Sequence, residues 1–196
     1  MVNKITKIEI VSLYLNDYGR KYYLGEMADL LGKPHQTIKP YAEELVQEGV
    51  LLRNKRKNII DYGLNFSNSK VYDYLVIAEK YKKIKALDKE RLLLILYGKI
   101  DRYTLDSLFV VFGSSVDGLK KGSDIDLLVV GKEKISEEIK EFEEIYNKKI
   151  HKVQVLSLKE LGLTLTKEIY KKHIILNDTE KVIRYFGELY GQNKLV

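Results

Sequence analysis

The 196 residues contain no cysteine, which excludes disulfide bridges and thiolate metal centres. Histidine is scarce too: His35, His151 and His173 lie far apart with no zinc-type spacing, so any metal is expected to be a hard cation held by oxygen. No apolar run approaches the ~18 residues of a membrane span. Met1 is not followed by the basic, apolar and small-residue pattern of a leader. A cytoplasmic protein with no membrane partner is expected. Proline is confined to Pro34 and Pro40, so few positions forbid regular structure. The hydrophobic fraction of 45% is enough for one large core or two small ones. The formal charge of +6 suits a polyanionic partner without requiring one. Abundant Lys, Glu, Ile and Tyr resembles the usage of a heat-adapted organism.

Ile5, Ile8, Val11 and Leu15 recur at helical spacing, and the run Asn16 to Gly19 stops them, which predicts a first helix from Lys4 to Leu15. Leu24, Met27, Ala28 and Leu31 share one face of a short second helix that Gly32 closes. A third helix is expected from about His35, with Ile38, Tyr41, Ala42 and Leu45 inward, until Gly49. Pro40 is cheap only in a first turn, which bounds that helix start near Lys39 or a few residues earlier. Val50 to Leu52 and the pair Ile59 and Ile60 then flank a basic run as a hairpin. Helix, helix, turn, helix and hairpin is the order of a winged helix-turn-helix, assigned to residues 1–66.

That order suggests DNA binding, with the third helix in a major groove and the hairpin tip on phosphates. His35, Gln36, Thr37 and Lys39 fall near the helix start, and Arg53, Lys55, Arg56 and Lys57 load the hairpin. Glutamine can read an adenine edge and lysine can neutralise a phosphate. The same cluster also suits a solvated surface or a protein contact, because the excess of base over acid in residues 1–66 is small.

Val71, Tyr74, Leu75, Ala78, Tyr81 and Leu87 continue at helical spacing, and a second helical stretch runs from about Lys89 to Tyr97, so residues 67–105 read as a helical connector. Leu108 to Phe112 is a continuous apolar run, as expected of a buried central strand. Gly113, Ser114 and Ser115 follow it, then a loop with Gly118, Lys120, Lys121 and Gly122, then Ser123, Asp124, Ile125, Asp126 and the apolar run Leu127 to Val130. Side chains alternate along a strand, so Asp124 and Asp126 project from one face while Ile125, Leu127 and Val129 enter a core. Paired carboxylates completed by phosphate oxygens and water suit Mg²⁺. In phosphoryl-type transfer one such ion activates the attacking oxygen and a second stabilises leaving pyrophosphate. Gly113 allows a close backbone approach to phosphate, and the Ser114 hydroxyl and adjacent N–H groups can donate to it. Lys120 and Lys121 are placed to offset triphosphate charge.

At these residues the chain resembles the DNA polymerase β-like nucleotidyltransferase superfamily, and within it the minimal nucleotidyltransferases, whose hallmark is Gly-Ser followed roughly ten residues later by Asp-x-Asp. The resemblance implies an α+β fold, with a small mixed β-sheet flanked by helices in a nucleotidyltransferase domain over residues 106–196. It implies Asp124 and Asp126 as catalytic and metal-ligating, and Gly113, Ser114, Ser115, Lys120, Lys121 and Ser123 as nucleotide-binding. Mg²⁺ is the implied cofactor and an NTP the substrate. The N-terminal half resembles regulators fused to such domains in archaea.

Two departures stand out. Nine residues separate Ser114 from Asp124, one fewer than the commonest spacing. Active members also carry a third carboxylate on a later strand, and the candidate strand here is Lys149 to Leu156. With Val153 and Val155 turned to the core, Gln154 takes the matching position, and an amide cannot act as a base. Further on, Ser136 to Tyr146 reads as an amphipathic helix with Ile139, Phe142, Ile145 and Tyr146 inward, and Ser157 with Glu160 as a helix cap. His173 reads as part of a Lys-rich helix end, and Thr179 to Tyr190 as a final helix. Three functions follow as expectations: transfer of a nucleotide from an NTP to a protein or nucleic-acid hydroxyl; a DNA-binding regulator that senses nucleotide through a weakened site; or an antitoxin acting on a cognate toxin. Expected partners are NTP, DNA, a protein such as that toxin, and a second copy of the chain.

Overall fold

The protein is described here by a computed structural model covering residues 7–57, 59–118 and 123–195. The N-terminal part comprises α1 (Lys7–Ser12), the short β1 (Tyr22–Tyr23), α2 (Leu24–Leu31), α3 (His35–Gln47), β2 (Leu51–Arg56) and β3 (Ile59–Leu64). The strands form an antiparallel sheet in the order β1-β3-β2. The predicted helix start at Lys4 and Ile5 lies outside the described residues. Gly32 closes α2 in the left-handed conformation, with φ 60. In α3, Ile38, Ala42 and Leu45 recur at intervals of four and three and are fully buried. Pro40 is the sixth residue of α3, beyond the first turn, so it removes one interior backbone bond instead of sitting at the tolerated helix start.

The remainder comprises α4 (Lys70–Lys89), α5 (Arg91–Ile100), β4 (Leu108–Phe112), β5 (Ile125–Val130), α6 (Ser136–Tyr146), β6 (Ile150–Val155), α7 (Leu163–Lys171), β7 (His173–Ile175) and α8 (Thr179–Gly191). The second sheet is mixed, in the order β6-β5-β4-β7, with β6 parallel to β5 and the other pairs antiparallel. Helices cover both faces. Leu108, Val110, Phe112, Leu128 and Val130 pack with residues of α4, α7 and α8, in a core continuous with that of the N-terminal part. Phe109, Val111, Ile125, Leu127 and Val129 pack with α5 and α6. Every residue of β4 is buried because neither face meets water. The stretch read as a connector thus contributes to both cores, α4 on one side of the sheet and α5 on the other.

His173 departs from its expected place in a helix end. Helix α7 stops at Lys171, and His173 opens β7, fully buried and paired with Phe112 across the edge of β4. An open strand edge offers backbone partners that another helical turn could not use, so pairing overrides local helix preference. Ser157 and Glu160 do act as a cap, but of the 3-10 turn Leu158–Glu160: the Ser157 hydroxyl accepts from the Lys159 N–H and the Glu160 carboxylate from the Leu156 N–H.

Candidate functional site

The Gly-Ser turn and the acidic strand meet at one end of the second sheet. Phe112, the last residue of β4, pairs with Asp126 on β5, so the chain leaving β4 turns directly beside that carboxylate. The turn is a single stretch of 3-10 helix, Gly113–Asp117. Gly113 has φ 71, in the left-handed region, and a Cβ built there would lie 2.7 Å from Oδ2 of Asp126. Glycine is required twice, by backbone conformation and by the carboxylate seated against it. The Gly113 N–H donates to the Lys172 carbonyl at 3.2 Å, which fastens the turn to the start of β7.

Ser114 is exposed on the outer side of the turn. Ser115 points inward: it is buried, and its hydroxyl donates to the Phe112 carbonyl at 2.9 Å, so it braces the turn. Asp124 is exposed just before β5, and Asp126 is partly buried. Ser123 accepts a hydrogen bond from the Lys148 ammonium at 3.1 Å. Lys148 is buried, an unusual setting for an ammonium, and places a cation beside the acidic strand. Lys172 pairs with Asp117 at the end of the turn. Lys120 and Lys121, expected to face phosphate, lie outside the described residues.

The third-carboxylate position differs from the sequence expectation. Gln154 pairs with Val129, at the far end of β5 from Asp126 and on the opposite face of the sheet. Its amide donates to the carbonyls of Gly131 and Glu133, 3.1 Å each, and its carbonyl accepts from Lys152, so it holds the loop after β5. The residue paired with Asp126 is His151, whose Nδ1 lies 3.2 Å from Asp126 Oδ1. Sequence reasoning missed His151 and Lys148. The available signal was the register of two parallel strands, which alternation along one strand does not supply.

Behind the turn, His173 Nδ1 lies 2.9 Å from the Ile169 carbonyl and 3.1 Å from that of Tyr170, while Nε2 lies 2.8 Å from Oε1 of Glu79 on α4. Two carbonyls facing Nδ1 require a donor there. Burial pushes the Glu79 carboxyl up, but His173 and the Lys82 ammonium more than reverse this, holding it below its ordinary value. This buried pair ties α4 to β7 and hence to the strand edge that carries Gly113.

Among the described residues, no group of three or more His, Cys, Asp or Glu side chains is gathered to hold a metal ion by itself. The donors that do meet are a carboxylate and an imidazole, with the second carboxylate, Asp124, exposed just before β5. The three atoms nearest to where a Gly113 side chain would begin all belong to Asp126. Mg²⁺ commonly takes only one or two carboxylates and completes its shell with water and phosphate, so the two carboxylates fit a cation that arrives with a nucleotide.

In the N-terminal part, His35, Gln36, Thr37 and Lys39 are exposed on α3, and Arg53, Lys55 and Lys57 are exposed on the hairpin. Of Arg56 only the backbone is described, at the end of β2. A cleft of about 440 Å³ lies between α3 and the hairpin, with His35, Lys39 and Arg53 in its walls. Arg53 Nε is 3.7 Å from Glu43, which also accepts from the Tyr62 hydroxyl at 2.6 Å. His35 and Lys39 of α3 and Arg53 of the hairpin therefore border one groove.

Residues 104–181 match the family model described as polymerase beta, nucleotidyltransferase, and this stretch carries a polymerase β-like nucleotidyltransferase domain. The match runs from just before β4 into the start of α8 and includes the turn, both aspartates and His151. Similar solved structures include a crystal structure of a toxin-antitoxin with AMP-PNP, at 16% identity and a TM-score of 0.37, covering 50% of this chain and 87% of that one. Another is Pseudomonas aeruginosa HmgR, at 13% identity and a TM-score of 0.28, covering 76% of this chain and 50% of that one. Similarity at this level says nothing of function. No curated protein matches the sequence. No helix among the described residues is long and apolar enough to cross a membrane.

Proposed function

We propose that the domain built around Gly113 and Asp126 binds an NTP with Mg²⁺ and transfers its nucleotide to a hydroxyl of a protein or nucleic acid, while the N-terminal part, read as a winged helix over residues 1–66, binds DNA. The observation that carries this reading is the seating of the Asp126 carboxylate against a left-handed glycine at which a Cβ would lie 2.7 Å from it, within the stretch that matches the nucleotidyltransferase model. Asp124 and Asp126 would hold the cation, which when bound supplies charge neutralisation and activation of the attacking oxygen. Ser114, exposed on the turn, is placed to donate to a phosphate. Lys148 adds positive charge beside Ser123, and Lys120 and Lys121 lie between Ser114 and Asp124 in the sequence. In the transfer, the acceptor oxygen bonds to the α-phosphorus and pyrophosphate leaves.

One observation favours a second reading. Strand β6, Ile150 to Val155, contains no acidic residue, so the carboxylate that active relatives are expected to place there is missing. That absence suits a DNA-binding regulator or an antitoxin that retains nucleotide binding without turnover.

The deciding experiment incubates purified protein with each α-labelled NTP and Mg²⁺, alone and with RNA, DNA or cell extract, beside the Asp124→Asn/Asp126→Asn double variant. Label transferred by the wild type and lost in the variant establishes the enzyme. Metal-dependent nucleotide binding without transfer, accompanied by altered DNA affinity, establishes the regulator and ends the catalytic reading.

A further inference from the structure

The three histidines are scattered in sequence, yet β6 delivers one of them to the acidic strand. His151 and Asp126 are register partners on parallel strands and therefore point to the same side of the sheet. Their facing atoms, Nδ1 and Oδ1, are 3.2 Å apart. Two donors bound to adjacent corners of an octahedral ion, each about 2.1 Å from it, sit about 3 Å from one another. The hydrogen-bonded spacing already present is close to that of two ligands of one cation. Asp126 is pinned against Gly113, whereas the His151 side chain is 69% exposed and has room to turn its ring.

We infer that His151 is a metal ligand, and that with Asp126 it forms a mixed imidazole–carboxylate site that selects a transition-metal dication such as Mn²⁺ or Co²⁺ over Mg²⁺. The inference rests on the metal–nucleotide reading above and changes which metal that site takes. Imidazole suits borderline transition metals, while Mg²⁺ prefers an all-oxygen shell. A neutral imidazole where a carboxylate would stand also removes one negative charge from the ligand set, which penalises a hard cation held mainly by charge. No side chain of Ile150–Val155 offers a carboxylate to restore it. Asp124, exposed just before β5, and phosphate oxygens are left to complete the shell.

The test is binding of Mn²⁺ and Mg²⁺ alone to the full chain, followed by electron paramagnetic resonance with pulsed detection of ¹⁴N coupling. The wild type is expected to show imidazole ¹⁴N coupling to bound Mn²⁺ and at least tenfold tighter binding of Mn²⁺ than of Mg²⁺. His151→Ala should lose the coupling and bind Mn²⁺ at least tenfold more weakly. His151→Asp should lose the coupling and move the preference toward Mg²⁺. His151 is exposed, so both variants are expected to fold, which circular dichroism checks. Absent coupling in the wild type, with unchanged Mn²⁺ affinity in His151→Ala, overturns the inference and reduces His151 to a hydrogen-bond partner of Asp126. In that case a loss of Mn²⁺ binding in Asp126→Asn still upholds the carboxylate site. No Mn²⁺ or Mg²⁺ binding by the wild type, or binding that Asp126→Asn leaves unchanged, overturns the metal reading as well.

Discussion

Oδ2 of Asp126 occupies the space in which a side chain at Gly113 would begin, 2.7 Å from the nearest possible Cβ. The turn and the acidic strand are therefore mutually dependent: the carboxylate can be seated only beside a glycine, and the glycine's left-handed φ of 71 directs the chain into the 3-10 turn. In Gly113→Ala, the left-handed conformation alone costs about 1–2 kcal/mol. For a chain of this size that lowers Tm by roughly 2–4 °C per kcal/mol. The displaced carboxylate should reduce metal-dependent nucleotide binding at least tenfold, measured by titration calorimetry. Nucleotide affinity equal to wild type would show that this contact does not organise the site.

Gln154 provides the opposite case. Its amide braces the carbonyls of Gly131 and Glu133 on the face away from Asp126. Gln154→Ala should leave nucleotide binding and transfer unchanged. Removal of solvent-accessible hydrogen bonds should lower stability by about 1 kcal/mol or less, read from denaturant midpoints. A variant that folds normally yet loses nucleotide binding would restore Gln154 to the site.

The contrast between Gln154 and His151 shows where the sequence stops being readable. The turn, the two aspartates and the strands beside them are local features, legible because apolar runs bracket Gly113 and Asp126 on both sides. Alternation also correctly turns Val153 and Val155 inward. The error lies in equating an inward position with the face opposite the carboxylates. Both faces of this sheet are covered, so Asp126 shares its face with Leu128, Val130, Val153 and Val155, and only its end of the strand reaches solvent. Which β6 residue meets Asp126 depends on register, a tertiary property. The three residues of β7 were hidden for a similar reason: His173–Ile175 are extended because β4 has an open edge, and no periodicity announces so short a strand.

Glu79 gives a pH prediction. Its side chain is fully buried, and its carboxyl is held below its ordinary value because His173 and Lys82 outweigh the burial that pushes it up. A carboxyl with a lowered folded-state pKa contributes stability above its unfolded value, and loses it as pH falls through the folded one. The stability gap between wild type and Glu79→Gln should therefore be widest above about pH 4.3 and shrink below it, followed by Tm from pH 7 downward. Glu79→Ala, which leaves the histidine without its partner, should cost about 3–5 kcal/mol near neutrality. A gap between wild type and Glu79→Gln that stays constant down to pH 2.5 would show that ionisation of Glu79 does not stabilise the fold.

The N-terminal groove is tested by salt rather than by affinity alone. Lys55 and Lys57 are exposed on the hairpin, whose Arg53 shares the groove with Lys39 and His35 of α3. If the hairpin lies on phosphates, each lysine displaces close to one counterion, and the slope of log K against log salt should fall by about 2 in Lys55→Ala/Lys57→Ala. Gln36→Ala should instead leave that slope unchanged and weaken only the preferred sequence, by about 1–3 kcal/mol, because a base-edge contact releases no counterion. Fluorescence anisotropy on duplex DNA from 50 to 200 mM salt, about the range over which phosphate contacts are most visible, separates the two contributions. A wild-type protein whose binding does not weaken across that range would remove the phosphate contacts, and with them the reading of this groove as a DNA surface.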